Sequence, residues 1–307
     1  MPKNYINVLI IGYGSIGKRH EEVLSSFKTV HSIGIVSRQN LNKKIVYKSL
    51  YSIENIDYYD YFIIASETNK HYEQLVFLEK SIKNKIIFCE KPLFSNSKHL
   101  DIYNNKVYVG YVLRFHPLLM KLKDLVKDEK IININAKCGQ YLPSWRPNSD
   151  YRKSYSASKE QGGGVLLDLS HELDYVQWFV GKIKDIKSYQ VKVSDLEIDS
   201  DDLSTLIGRT EDEGIVNISI DYISKITHRS LHIDTIESSY YLNFMANSLI
   251  EQKKVGEKNI YIDDSLERND MFINMHKSVL NKEDILTSYV EAKEVMETII
   301  TIQENNK

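Results

Sequence analysis

The apolar run Val8-Leu9-Ile10-Ile11 passes directly into Gly12-Tyr13-Gly14-Ser15-Ile16-Gly17, and this junction restricts the fold more than any other stretch of the chain. A short, uninterrupted apolar run bounded by turn residues reads as a strand buried on both faces, as in a parallel sheet covered by helices. The three glycines then have separate tasks: Gly12 permits a tight turn, Gly14 lets backbone approach a pyrophosphate, and Gly17 lets the following helix pack on the strand. The N–H groups of Ser15 and Ile16 open that helix, where unsatisfied donors and the positive dipole end favour an anion. A dinucleotide is the implied ligand.

An acid that grips an unmodified ribose is expected about 20 residues beyond such a turn. Here that slot reads Ile35-Val36-Ser37-Arg38-Gln39 and contains no carboxylate. The Ser37 hydroxyl and the Arg38 guanidinium suit a 2′-phosphate, because arginine makes bidentate, charge-assisted bonds to phosphate oxygens. NADP is therefore preferred, with NAD the alternative if Arg38 is only a solvated loop residue. Lys18 and Arg19, in the first turns of the helix, add to the positive field.

From residue 5 to about 115, short β-rich runs alternate with helical stretches, the pattern of a parallel sheet with crossover helices. Strands are expected at Asn7–Ile11, His31–Val36, Tyr61–Ala65, Ile86–Cys89 and Lys106–Val109, with helices at Ser15–Phe27 and Asn69–Ser81. Beyond residue 183 the pattern changes to period two. Val216, Ile218, Ile220 and Tyr222 face one way and Asn217, Ser219 and Asp221 the other, which predicts an antiparallel sheet. Leu203–Ile207, Leu231–Ile236 and Tyr240–Phe244 extend it, and a closing helix carries Ala292, Val295, Met296, Ile299 and Ile302 at helical spacing. The expected fold class is α/β: a dinucleotide-binding domain over residues 1–115, then an α+β domain over 116–307 with an open, largely antiparallel sheet.

Forty basic against 42 acidic residues leave a net charge of −2, which provides no field for binding nucleic acid or a membrane surface. Two well-separated cysteines, Cys89 and Cys138, form no CxxC and no metal-ligand spacing, so neither a disulfide framework nor a metal site is expected. The absence of a signal-peptide core or a long apolar run fits a cytoplasmic protein.

Polar residues cluster where parallel strands end. Ser66, Glu67, Asn69 and His71 follow the third strand, and Glu90-Lys91-Pro92 follows the fourth. In open α/β sheets those carboxyl ends form the ligand crevice, so Ser66, Asn69, His71, Glu90 and Lys91 are candidate cofactor contacts. The Lys91 ammonium can also hydrogen-bond the substrate oxygen during hydride transfer; the alternative is a turn lysine facing water. A second signal is Gln161-Gly162-Gly163-Gly164 leading into Val165-Leu166-Leu167-Asp168-Leu169-Ser170-His171-Glu172-Leu173-Asp174. A flexible glycine run enters an amphipathic helix whose core stripe is Leu169, Leu173, Val176 and Val180, leaving Asp168, His171, Asp174 and Trp178 opposite. An imidazole titrating near neutrality, with a carboxylate one turn away, suits proton exchange with an alcohol, whereas a core-satisfied histidine is the plainer reading. Trp145, Arg146, Tyr151 and Arg152 combine aromatic faces with cations, as sites for sugars and anionic polyols do. Tyr111 and Arg114 are further pocket candidates.

Taken in order, GYGSIG, SETNKH, FCEKPL, VGYVLRFHP and GGGVLLDLSHELD resemble the glucose-fructose oxidoreductase / inositol dehydrogenase (Gfo/Idh/MocA) family, most clearly from residue 7 to about 181. The resemblance implies a Rossmann domain followed by an α+β domain whose open sheet mediates homodimers or homotetramers. It further implies Lys91 as the substrate-binding and proton-relay lysine and His171 as acid/base, with an acid one helical turn before it. Asp168 precedes His171 by three residues rather than four, so either Asp168 or Asp174 is its partner. The segment from Gly139 to Asp174 also resembles members associated with bacterial surface carbohydrates, including acidic nine-carbon sugars.

The sequence therefore predicts an NAD(P)-dependent oxidoreductase that moves hydride between nicotinamide and a hydroxyl carbon of a sugar, sugar derivative or cyclitol, without a metal. Two rivals keep the same fold: a glycosidase or epimerase that uses a tightly bound nicotinamide transiently, and a non-enzymatic dinucleotide sensor.

Overall fold

The structure, a computed structural model, describes residues 5–42, 45–146 and 149–306. In chain order it begins β1 (Ile6–Ile11), α1 (Ser15–Ser25), β2 (Val30–Val36), β3 (Val46–Tyr47), β4 (Tyr61–Ile64), α2 (His71–Ser81), β5 (Ile86–Cys89) and β6 (Lys106–Val109). It continues with α3 (Pro117–Leu125), β7 (Ile131–Gly139), α4 (Val165–Asp168), α5 (His171–Val180), β8 (Lys184–Val191), β9 (Leu203–Arg209) and β10 (Ile215–Asp221). Then follow β11 (His228–Thr235), β12 (Ser238–Asn243), β13 (Ser248–Lys253), β14 (Lys258–Ile262), α6 (Asp270–Asn281), β15 (Thr287–Ser288) and α7 (Tyr289–Asn305). The chain divides into two compact units, one running to Val112 and including Arg268–Lys293, the other comprising Leu113–Glu267 and the residues from Glu294 onward.

The first unit is built on a seven-stranded sheet ordered β15-β6-β5-β4-β1-β2-β3. Its neighbours are parallel, except that β15 runs antiparallel to β6. Val8, Leu9, Ile10 and Ile11 are all buried, as a central strand covered on both faces requires. From β1 the chain builds outward to β2 on one side and to β4 on the other, so a ligand crevice is expected beyond the carboxyl ends of β1 and β4. The expected assignment of all of 116–307 to a second domain is corrected here. Segment 268–293 returns to the first unit, where Thr287 and Ser288 pair with Val109 and Tyr108. Helix α6 buries Phe272, Met275 and Val279 there. A two-residue strand is too short to announce itself by alternation.

The second unit carries an eight-stranded sheet ordered β14-β13-β12-β11-β7-β10-β9-β8. It is antiparallel apart from the parallel pair β7 and β10. On β10, Val216, Ile218 and Ile220 are buried and Asn217, Ser219 and Asp221 occupy the other face, as period-two alternation predicts. Register places Ile207, Asn217, Asn135, His232, Tyr241, Ile250 and Ile260 side by side across that other face.

The expected single helix through Asp168 and His171 is two. Leu169, at φ −97° and ψ 28°, leaves helical geometry, so α4 ends at Asp168 and α5 begins at His171. Asp168 therefore shares no helix face with His171 and Asp174. Residues Glu172 to Gln177 are all buried, so α5 presents no broad open face opposite its core stripe.

Candidate active site

The glycine turn has the geometry that its spacing predicts. Gly12 sits at φ +98°, where an added Cβ would lie 2.6 Å from the Ala65 carbonyl oxygen and the Ser66 nitrogen. A Cβ at Gly17 would lie 2.2 Å from the Gly12 carbonyl oxygen, so α1 packs directly on the turn. At Gly14, by contrast, no described residue stands within 4 Å of the Cβ position. Gly14 also caps α1 without a side-chain hydrogen bond, and the first turn holds no acid. Open backbone at Gly14 and uncapped donors at the start of α1 fit a dinucleotide pyrophosphate.

At the end of β2, Ser37 is buried and its Oγ accepts the Gln39 N–H at 3.1 Å, while the Gln39 amide reaches back to the Tyr13 carbonyl at 3.2 Å. The exposed Arg38 is held by its backbone, for Lys48 Nζ donates to the carbonyls of Arg38 and Gln39 and to Asn40 Oδ1. The guanidinium is thus presented to solvent from an ordered loop.

Beyond β4, Ser66 donates to Gln74 Oε1 at 2.7 Å and Asn69 is exposed. His71 corrects an expectation. It is buried, with Nε2 and Nδ1 each 3.1 Å from a carbonyl oxygen, those of Ser66 and Pro92, and burial pushes its pKa down. It ties the loop after β4 to the turn after β5 instead of presenting its ring to a ligand. In that turn Lys91 is partly exposed, the Lys91–Pro92 peptide is cis, and the Lys91 N–H donates to Glu90 Oε2 at 3.3 Å. Tyr111, a pocket candidate, is buried.

In the second unit the glycine run is tightly packed, which corrects the picture of a flexible entry. A Cβ at Gly163 would lie 2.0 Å from the Tyr155 carbonyl oxygen, and one at Gly164, at φ +113°, would lie 2.1 Å from Asp201 Oδ1. Asp201 in turn accepts the Leu166 N–H at 2.9 Å, so its carboxylate serves the start of α4. Asp168 accepts the Tyr222 hydroxyl at 2.5 Å and is also hydrogen-bonded to Tyr155, which lies within the field of Arg146. Burial first, and the Asp168 charge second, push both tyrosines well above their ordinary pKa. The Trp145 ring stands edge-on to Tyr222 with centroids 5.1 Å apart. Its buried Nε1 has no hydrogen-bond partner among the described residues.

Helix α5 is anchored by two ion pairs, one buried and one partly exposed at its arginine. Arg114 holds both oxygens of Asp174, at 3.0 and 2.8 Å, and Arg229 holds both oxygens of Glu172, at 2.8 and 3.3 Å. Arg114, expected to contact substrate, is instead 1% exposed and locked to Asp174. Arg152, also expected to contact substrate, is instead at the surface, bonded to Asp150 and Glu197, while the Tyr151 hydroxyl accepts the Glu197 N–H. His171 opens α5 and is half-buried. Glu172 and Arg229, and the pairing of Tyr222 with Asp168, escaped sequence analysis; a charged residue inside an apolar stripe, as Glu172 is, was the available signal.

Among the described residues no group of histidine, cysteine and acidic side chains could hold a metal ion, and no helix is long and apolar enough to cross a membrane.

Residues 6–103 match the family model for the oxidoreductase family with NAD-binding Rossmann fold, and residues 119–236 match the GFO/IDH/MocA C-terminal domain. The chain belongs to the GFO/IDH/MocA oxidoreductase family. It is 24% identical over 232 residues to glucose-6-phosphate 3-dehydrogenase of Bacillus subtilis, covering 68% of this chain and 65% of that protein. It is 27% identical over 196 residues to 2,7-anhydro-N-acetylneuraminate hydratase of Escherichia coli, covering 58% and 50%. The matches thus span half to two thirds of these curated relatives. Levoglucosan dehydrogenase, solved with NADH and levoglucosan, superposes with a TM-score of 0.83 at 16% identity, covering 98% of this chain and 96% of that one. At that identity the superposition shows a shared fold.

Proposed function

We propose that this family member is an NAD(P)-dependent oxidoreductase that transfers hydride between nicotinamide and a hydroxyl-bearing carbon of a sugar, sugar derivative or cyclitol. The observation that carries the reading is the glycine turn, closed by packing at Gly12 and Gly17 and open at Gly14. When bound, the nicotinamide supplies a site that accepts or releases hydride. The chain's own residues do the rest. Gly14, Ser15, Ile16 and Gly17 hold the pyrophosphate through backbone donors and the dipole of α1. Lys91 donates a hydrogen bond to the substrate oxygen and stabilises charge that develops there. His171 takes or returns the hydroxyl proton.

Of the two acids expected to serve His171, Asp174 is gripped at both oxygens by Arg114 and fixes α5. We assign Asp168, with Tyr222 and Tyr155, to the polar network that orders His171 or a substrate hydroxyl. Trp145 and Arg146 are the assigned sugar contacts. Trp145 supports this with its aromatic face and a buried donor that has no partner among the described residues. The exposed Arg38 supports a preference for NADP. The sheet face bearing Ile207, Tyr241 and Ile260, exposed at 50%, 43% and 57%, supports pairing with further copies as a homodimer or homotetramer. The two cysteines are buried and unbridged, which supports a cytoplasmic setting.

A second reading is favoured by the hydratase among the relatives, which is not named as a dehydrogenase. In it the coenzyme is oxidised and reduced within one turnover, giving net elimination, epimerisation or hydrolysis. Titration of NADPH and NADH against the purified chain, followed by a substrate screen at the nicotinamide absorbance, tests the first reading. Coenzyme that stays bound through gel filtration, with turnover but no net absorbance change, selects the second. A chain that binds neither coenzyme refutes both.

A further inference from the structure

Four polar side chains from separate elements of the first unit form a buried chain of hydrogen bonds. Glu90 Oε1, after β5, lies 3.0 Å from His20 Nε2 on α1; His20 Nδ1 lies 2.9 Å from His276 Nε2 on α6; and His276 Nδ1 lies 2.9 Å from the Tyr61 hydroxyl at the start of β4. Both histidines are 0% exposed and Tyr61 is 1% exposed. The rings of Phe88 and Phe272 stand edge-on to His20. Room for the carboxylate depends on Gly110, where a Cβ would lie 2.8 Å from Glu90 Oε1. The other titratable groups acting on this cluster are Arg19, itself in the field of Arg268 and Glu22, together with His71 and Cys89; Lys91 is the neighbour in sequence.

A neutral imidazole has one donor and one acceptor nitrogen, so the order of protons along this chain is determined from its ends. Ionised Glu90 can only accept, and therefore His20 carries its proton on Nε2. His20 Nδ1 must then accept, which places the His276 proton on Nε2. His276 Nδ1 accepts from Tyr61. Every group is satisfied in this arrangement. Reversing it requires a proton on Glu90 or a charged imidazole, and burial holds the pKa of His276 well below its ordinary value. Tyr61 is enclosed at the far end, so the chain does not conduct protons to solvent. Two buried imidazoles carry a desolvation cost that an apolar pair of similar size would not. What they supply is a fixed donor for Glu90.

We propose that His20 and His276 are positioning residues which, by holding one order of protons against Glu90, keep that carboxylate aimed, and through it fix the backbone of Lys91. The proposal deepens the function proposed above and rests on it where it concerns turnover.

The direct test is histidine ring nitrogen-15 NMR on the full chain near neutral pH. Both imidazoles are expected as neutral Nε2–H tautomers. An imidazolium at His20, or an Nδ1–H tautomer at either residue, overturns the proposal. The turnover test compares His276→Phe, which leaves His20 Nδ1 without its donor, with His276→Gln, whose amide supplies both a donor NH2 and an acceptor carbonyl. His276→Phe should lower kcat by roughly tenfold, the scale of one buried unsatisfied hydrogen bond. It should also move the His20 Nδ1 nitrogen-15 resonance, because that nitrogen loses its donor. His276→Gln should restore both. A folded His276→Phe with unaltered kcat and an unmoved His20 resonance overturns the proposal. Should that variant fail to fold, the tautomer measurement on the native chain still decides. Correct tautomers in a chain that turns over no sugar refute the proposed function and leave the brace standing; wrong tautomers in an active enzyme refute the brace alone.

Discussion

Two glycine runs lead into helices in this protein, and they serve different partners. At Gly12-Tyr13-Gly14-Ser15-Ile16-Gly17 the outer glycines are pressed against the chain's own backbone while Gly14 faces open space. At Gly162-Gly163-Gly164, Gly163 abuts the Tyr155 carbonyl and Gly164 abuts the Asp201 carboxylate. A missing Cβ marks a close approach in both places, but it does not say what approaches. In the first unit the middle glycine stays open among the described residues; in the second, Gly163 and Gly164 are both closed by the protein.

Substitution at single glycines should separate the two runs. Gly164→Ala should be the most damaging, because alanine is strained at φ +113° and its methyl meets Asp201 Oδ1. A loss of about 2–4 kcal/mol in urea unfolding is expected. Gly14→Ala should leave stability unchanged, since no described residue stands within 4 Å, yet weaken NADPH binding by roughly tenfold or more, read by fluorescence titration. If Gly14→Ala binds NADPH as the native chain does, the open side of the turn is not the coenzyme site.

The alternating and apolar patterns were legible because they are local. Val8–Ile11 as a buried strand and the alternation of β10 follow from residues adjacent in sequence. So did the ring of polar residues at the ends of β4 and β5, since strand ends in a parallel sheet fall together. What could not be read are pairings across long separations. Arg114 and Asp174 stand 60 residues apart, Glu172 and Arg229 stand 57 apart, and His20 and His276 stand 256 apart. Each side chain alone looks like a surface charge or a ligand contact, and only the tertiary fold shows it partnered. That is why Arg114 was expected at a pocket and is found in an ion pair. The break at Leu169 has a similar origin. Helical spacing ran through it without interruption, while the fold turned the backbone there to place Asp168 against Tyr222.

Arg38→Ala should weaken NADPH binding by roughly tenfold, the scale of a lost charge-assisted bond, with NADH unchanged; equal losses for both coenzymes would remove the 2′-phosphate assignment. Tyr241→Asp on the open sheet face should shift the chain toward monomer in light scattering, and an unchanged mass would place the copy-to-copy contact elsewhere. The mildest effect is on pH. Burial holds His71, His116 and His276 below the ordinary value of 6.5, so the native state keeps them neutral while the unfolded chain protonates them. Stability from this source is present above pH 6.5 and is lost as pH falls below it. The melting temperature should decline on that side, and His276→Gln should flatten the decline; an identical slope in the variant would contradict the buried, neutral state of His276.

If one set of residues grips the coenzyme and another handles the substrate proton, single-turnover oxidation of NADPH by keto-sugars should separate the two in the native chain, Lys91→Ala and His171→Ala. Native turnover is expected, with unchanged NADPH binding in both variants and a rate lowered roughly 100-fold or more. Turnover at the native rate in either variant would contradict that division.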